Sequence, residues 1–83
     1  MKIVKYWAVW CGPCKGYAPV VDFVADELDL EVEAVNVDET PTEGIMSVPT
    51  TRLVNAQGTV VAERAGAMSA PVLRAWILEH QGA

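Results

Sequence analysis

Among these 83 residues there are two cysteines, one histidine and one phenylalanine, and no apolar run approaches the ~20 residues that a membrane-spanning helix needs. Two cysteines cannot build a multi-bridge secreted scaffold. Basic residues are scarce as well, six against eleven acids, for a net charge of -5. Such a field repels phosphate backbones, so nucleic-acid binding is set aside. The chain contains no internal repeat, low-complexity stretch or linker, and residues 1–83 read as a single domain. The opening Met1-Lys2-Ile3-Val4-Lys5 imitates the basic start of a signal peptide. Lys5 interrupts the apolar stretch, however, and no small-residue cleavage site follows. A reducing, cytoplasmic compartment is therefore expected. There a close cysteine pair points to catalysis or metal binding rather than to a structural bridge.

What the chain does have is apolar content, 52% against 20% charged residues, which is too much for a disordered segment. Ile3 to Val9 is rich in β-branched and aromatic residues and suits a buried strand. Pro13 belongs in a first helical turn, where its missing donor costs nothing. Tyr17, Val20, Val21, Val24 and Leu28 then recur at helical spacing, with Pro19 expected to kink the helix without ending it. Val32 to Val37 reads as a second strand, completing a β-α-β crossover. Asp38 to Met46, with Pro41 and Gly44, reads as a loop containing a short helical turn. Thr50–Val54 and Thr59–Glu63 are two further strands, joined by the hairpin signal Asn55-Ala56-Gln57-Gly58. Ser69 caps a last helix with Pro71 in its first turn, and Val72, Leu73, Trp76 and Ile77 are expected on its buried face. The class is α/β: β-α-β-β-β-α, with helices packed on a four-stranded mixed sheet.

The sharpest local feature is Trp10-Cys11-Gly12-Pro13-Cys14-Lys15, placed where strand gives way to helix. Cysteines three positions apart on a first helical turn are neighbours, so their sulfurs can meet in a disulfide. Unpaired amides and the positive end of the helix dipole favour thiolate over thiol. That is what a nucleophile attacking disulfides at neutral pH requires. Cys11, flanked by Trp10, is expected to be the exposed attacker. Cys14, one turn in, is expected to be shielded and to resolve the mixed disulfide. Zinc is disfavoured on ligand count: beyond the pair the only soft ligand is His80, where four are wanted, so no metal is expected. An inert pair remains the bland alternative, but the β-α-β setting favours redox chemistry.

Trp7 to Lys15, then Ala18-Pro19, Ala25-Asp26-Glu27-Leu28, Asn36-Val37-Asp38, Ser47-Val48-Pro49-Thr50 and Gly66-Ala67-Met68-Ser69, taken in order, resemble the thioredoxin family over nearly the whole chain. The resemblance implies that Cys11 is the nucleophile and Cys14 the resolving thiol, with Trp10, Gly12, Pro13 and Pro49 as active-site support. It implies a cis peptide bond before Pro49, facing the sulfurs. It also implies an apolar substrate groove formed by Trp10, Val48, Pro49, Gly66 and Ala67, in which an extended segment pairs with the backbone of Val48. Trp7, Trp76 and the valines are read as core.

Two departures accompany the resemblance. The match begins at the family's second strand, so its opening strand and helix are expected to be absent. The sheet order becomes 2-1-3-4, with the Val32–Val37 strand at an edge that Glu31 and Glu33 guard against foreign pairing. The acid that the family buries beneath its cysteines is here Lys5, counted with the active-site support, and its lysine partner is Ala34. The resemblance implies reduction of protein disulfides by a monomer with no bound cofactor beyond its own Cys11–Cys14 disulfide. Thioredoxin reductase would be the electron donor and ribonucleotide reductase one acceptor. A glutathione-fed, glutaredoxin-like reductase is the enzymatic alternative, weakened because the paired glycines expected before the last helix are reduced to Gly66-Ala67. A non-catalytic binding subunit is the other alternative.

Overall fold

Successive side chains of Lys2–Trp7 (β1) point to opposite faces, Ile3 to one and Val4 and Tyr6 to the other, so the strand has apolar residues on both sides and organises the sheet. The computed structural model describes residues 1–40, 42 and 44–81. After β1 come α1 (Gly12–Leu28), β2 (Glu31–Asn36), β3 (Thr50–Val54), β4 (Val60–Ala65) and α2 (Ala70–Gln81). The strand order is β2-β1-β3-β4, as the sequence implies. β1 pairs in parallel with β2, Lys2 opposite Glu31 and Trp7 opposite Asn36. β1 pairs antiparallel with β3, Tyr6 opposite Thr50, and β3 pairs antiparallel with β4.

Both helices lie on one face. Ile3 and Leu53 of the sheet pack there with Tyr17, Val21 and Val24 of α1 and Leu73, Trp76 and Ile77 of α2. Fully burying side chains of this size stabilises by roughly 1.5–3 kcal/mol each, which makes this cluster the main support of the fold. The opposite face carries Val4, Tyr6 and Val54, flanked by Val35, Val37, Ile45 and Val48. Arg52 lies on that side, its guanidinium 5.2 Å from the Tyr6 ring centroid and its Nε 2.6 Å from Glu63.

Local chemistry sets the boundaries. The first strand ends at Trp7, two residues short of the expected Val9, because the Cys11 amide turns back to the Ala8 carbonyl at 3.1 Å. Val9 is therefore exposed rather than core. α1 continues through Pro19 and ends at Asp29, whose left-handed backbone (φ 57°) lets its amide reach the carbonyls of Ala25 and Asp26. β2 and β4 are displaced by a residue or so from the expected spans, β4 alongside a register shift between Leu53 and Val54. The hairpin forms where expected: Asn55 Oδ1 accepts from the amides of Gln57 and Thr59, and Gly58 takes a positive φ of 83°.

In the 38–46 stretch, the amides of Glu39 and Thr40 close a turn on the Asn36 carbonyl; Pro41 lies outside the described residues. Ser69 caps α2, its carbonyl accepting from Leu73 and its hydroxyl from Val72. Val72 is a correction. It occupies the first turn of α2 but stands largely exposed, while Leu73, Trp76 and Ile77 are buried. Val60 is likewise exposed on β4.

Candidate active site

The chain leaves β1 at Trp7, turns through Ala8 to Trp10 and enters α1 at Cys11, which is the helix N-cap. Its extended backbone (φ -88°, ψ 103°) aims the side chain back over the first turn, where Sγ accepts the Cys14 amide at 3.2 Å. Serine or aspartate ordinarily fills this position; here a sulfur does. The same sulfur is bonded to Sγ of Cys14, with the two Cα atoms 5.4 Å apart. Pro13 occupies the first turn, where no partner for its nitrogen is needed. Gly12, just before it, is exposed between the cysteines with open space where a Cβ would stand.

Exposure does not separate the two cysteines as the sequence led us to expect. In the disulfide form Cys11 is 4% and Cys14 7% exposed, both packed with Ala8 and flanked by Trp7, Val37 and Val48. What distinguishes Cys11 is the amide donated to it, since hydrogen bonds to a charged form favour that form.

The Val48–Pro49 peptide bond is cis. Val48 packs against the cysteine cluster, and the Pro49 carbonyl accepts the Gly66 amide at 2.8 Å, which brings Gly66 and its neighbour Ala67 to this end of the sheet. Among the described residues the backbone of Val48 makes no hydrogen bond. Trp10 is 67% exposed and is held from another side, its indole N–H donating to Asp38 Oδ2 at 3.0 Å. Sequence reasoning missed Asp38 as an anchor. The signal lies in the register: Trp7 stands opposite Asn36, so the residues just beyond both strand ends must meet.

Beneath the disulfide, on the helix face, Lys5 stands between Ala34 of β2 and Thr51 of β3. It is half-buried, and with Cys14, Lys15, Tyr17, Ala18 and Ala34 it lines an open cavity of about 520 Å3. Deeper along α1, the Tyr17 hydroxyl meets Thr51 Oγ1 at 2.7 Å. Burial pushes the Tyr17 phenol above its ordinary value, against the opposing influence of that hydrogen bond and of Arg64. No group of three or more metal-ligating side chains occurs among the described residues, and no described helix is long and apolar enough to cross a membrane.

Comparison with known proteins agrees with this geometry. The family model for Thioredoxin matches residues 1–79. The thioredoxin of Haemophilus influenzae is 42% identical over 84 residues, spanning 94% of this chain and 78% of that protein. The thioredoxin of Pseudomonas aeruginosa is 42% identical over 81 residues, spanning 90% and 74%. A solved structure described as "Structure of a malarial protein" superposes with a TM-score of 0.82 over 94% of this chain and 93% of that one. At 21% identity, that likeness concerns the fold alone. A family match covering nearly all of the sequence, joined to a helix-capping disulfide of the expected spacing, means that this chain belongs to the thioredoxin family and is a thiol–disulfide oxidoreductase.

Proposed function

We propose that residues 1–83 act as a single domain that reduces disulfides in other proteins. In the reduced protein the Cys11 thiolate attacks one sulfur of a substrate disulfide. A mixed disulfide forms and one substrate thiolate leaves. The Cys14 thiolate then attacks Cys11 Sγ, the intrachain disulfide closes, and the second substrate sulfur departs. Two electrons have passed to the substrate, whose two thiolates take protons from solvent.

The observation that carries this reading is the sulfur of Cys11 at the helix N-cap, accepting the Cys14 amide while bonded to Cys14. A thiolate placed there is stabilised by that amide and by the helix dipole. The backbone of Val48, without a partner among the described residues, supports docking of an extended substrate segment by strand addition beside Trp10, Pro49, Gly66 and Ala67. A thioredoxin reductase is the proposed electron donor, ribonucleotide reductase a proposed acceptor, and the cytoplasm the proposed setting for a monomer.

Insulin reduction driven by dithiothreitol tests the reading. The wild type is expected to accelerate precipitation of the insulin B chain, and Cys11→Ser to remove the acceleration. Equal rates for the two would reject the proposal. Cys14→Ser is expected to trap targets as mixed disulfides on Cys11.

A further inference from the structure

The cavity beneath α1 shares Cys14 and Pro49 with the site above but is lined by none of Trp10, Val48, Gly66 and Ala67. It is therefore a second space against Cys14, lined by Ala34 of β2 and distinct in most of its lining from the proposed substrate groove. Its existence follows from two small residues. Ala18 on α1 and Ala34 on β2 both line it, and neither side chain extends beyond a methyl group. At about 520 Å3 it falls within the roughly 300–1,000 Å3 typical of small-molecule sites.

Among the described residues the charge of the lining is one-sided. Lys5 and Lys15 both contribute to it, and no described aspartate or glutamate does. Neither lysine takes part in an ion pair or side-chain hydrogen bond among the described residues, although Lys2, Arg52 and Arg74 each do. Yet the chain as a whole is acidic, with a net charge of -5. Two cations on the lining of a mostly apolar hole, neither in an ion pair among the described residues, select for an anion with an apolar body. Lys5 is the more telling of the two, because it is half-buried on the sheet between Ala34 and Thr51. A cation partly removed from water gains more from an anionic partner than a surface lysine does.

We infer that this cavity is a binding site for a small apolar monocarboxylate, its carboxylate on Lys5 with Lys15 assisting, and its aryl or alkyl body against Tyr17, Ala18 and Ala34. The ligand does not react; it occupies the space beneath Cys14 without entering the groove.

The test is an amide and methyl NMR titration of the oxidised protein with 4-phenylbutyrate, alongside the neutral 4-phenylbutan-1-ol and acetate. A ligand of about twelve heavy atoms at ordinary efficiency saturates by roughly 10 mM. Saturable shifts centred on Lys5, Ala18 and Ala34 are expected with 4-phenylbutyrate. The alcohol is expected to bind about tenfold more weakly, the effect of losing one charge-assisted contact, and acetate to give no saturation. Lys5→Met keeps the aliphatic stem and is expected to bring the acid down to the affinity of the alcohol. Ala34→Leu fills part of the cavity and is expected to remove both. Absence of saturation, shifts scattered over the surface, or equal affinity for acid and alcohol in the wild type would overturn the inference whether or not the variants fold. So would unchanged binding in folded Lys5→Met or Ala34→Leu.

Discussion

The hydroxyls of Tyr17 and Thr51 meet at 2.7 Å with neither open to solvent, joining the second turn of α1 to the central region of the sheet. Removing one partner leaves the other buried and unsatisfied, whereas removing both does not. Thr51→Val is therefore expected to destabilise by about 1–3 kcal/mol, and Tyr17→Phe combined with Thr51→Val to cost less than the sum of the single changes. Urea unfolding of the four proteins checks this. Strict additivity would show that the two hydroxyls do not depend on each other.

The same residue makes stability depend on alkaline pH. Burial raises the Tyr17 pKa above its ordinary 10.0, so the folded state holds the phenol proton more tightly than the unfolded chain. The resulting stabilisation is complete below the unfolded value and is lost as pH climbs from there through the folded value. Wild-type stability is expected to fall above about pH 10. Tyr17→Phe is expected to show a shallower decline in unfolding measured between neutral and strongly alkaline buffers.

Reduced protein exposed to limiting iodoacetamide near neutral pH is expected to carry the label chiefly on Cys11, because its sulfur receives the Cys14 amide at the helix N-cap. In the disulfide form the two cysteines are similarly exposed, so the preference is argued from the electrostatic cause. Mass mapping that finds Cys14 labelled first would reverse the assigned roles.

Lys5 lines the same cavity as Cys14, and a cation near a sulfur favours its thiolate and hence the reduced pair. Lys5→Asp substitutes repulsion for attraction. Its midpoint against glutathione is expected to become more negative by roughly 30 mV, the equivalent of tenfold in the two-electron equilibrium. Identical midpoints would leave Lys5 without electrostatic influence on the pair.

Asp38→Ala removes the acceptor for the Trp10 indole while leaving an exposed site. Insulin reduction is expected to slow roughly 2–5-fold, the worth of a 0.5–1 kcal/mol hydrogen bond, with little change in Tm. The Trp10 indole N–H resonance is the direct readout, and it is expected to move toward its position in unstructured peptide.

Where the sequence was most readable, local chemistry and tertiary need agreed. Thr50–Val54, the Asn55–Gly58 hairpin and the Ser69 cap each follow from residue types whose backbone preferences match their surroundings. The run to Val9 misled because β-branched and aromatic residues propose a strand, whereas the Cys11 amide and Ala8 carbonyl impose a turn that no propensity registers. Val72 fits the apolar pattern of α2, yet it stands exposed while Leu73 beside it in the same turn is buried, so the spacing alone does not say which of two adjacent apolar residues faces the core. The cysteine pair and Pro49 were legible from motif. The anchoring of Trp10 was not, because it depends on β1 and β2 standing in parallel register across 28 residues of chain. Lys5 and Ala34 were each visible as departures from the family, but a hole between them requires knowing that they stand side by side facing Ala18.

In the order β2-β1-β3-β4, the strands β1 and β3 are bonded along both edges, and each delivers one half of the proposed catalytic surface: the Ala8–Cys11 turn from the end of β1 and the Val48–Pro49 bond at the start of β3. Amide hydrogens that bond β1 to β3 leave only when the central ladder opens, so their exchange belongs to the slowest class in the molecule, while those bonded to β2 or β4 can be lost to local fraying of the outer strands. Fraying of the outer strands thus disturbs Gly66 beside β4 and the Asp38 anchor of Trp10 beyond β2 before it alters the spacing between disulfide and proline, which lasts until the central ladder itself opens.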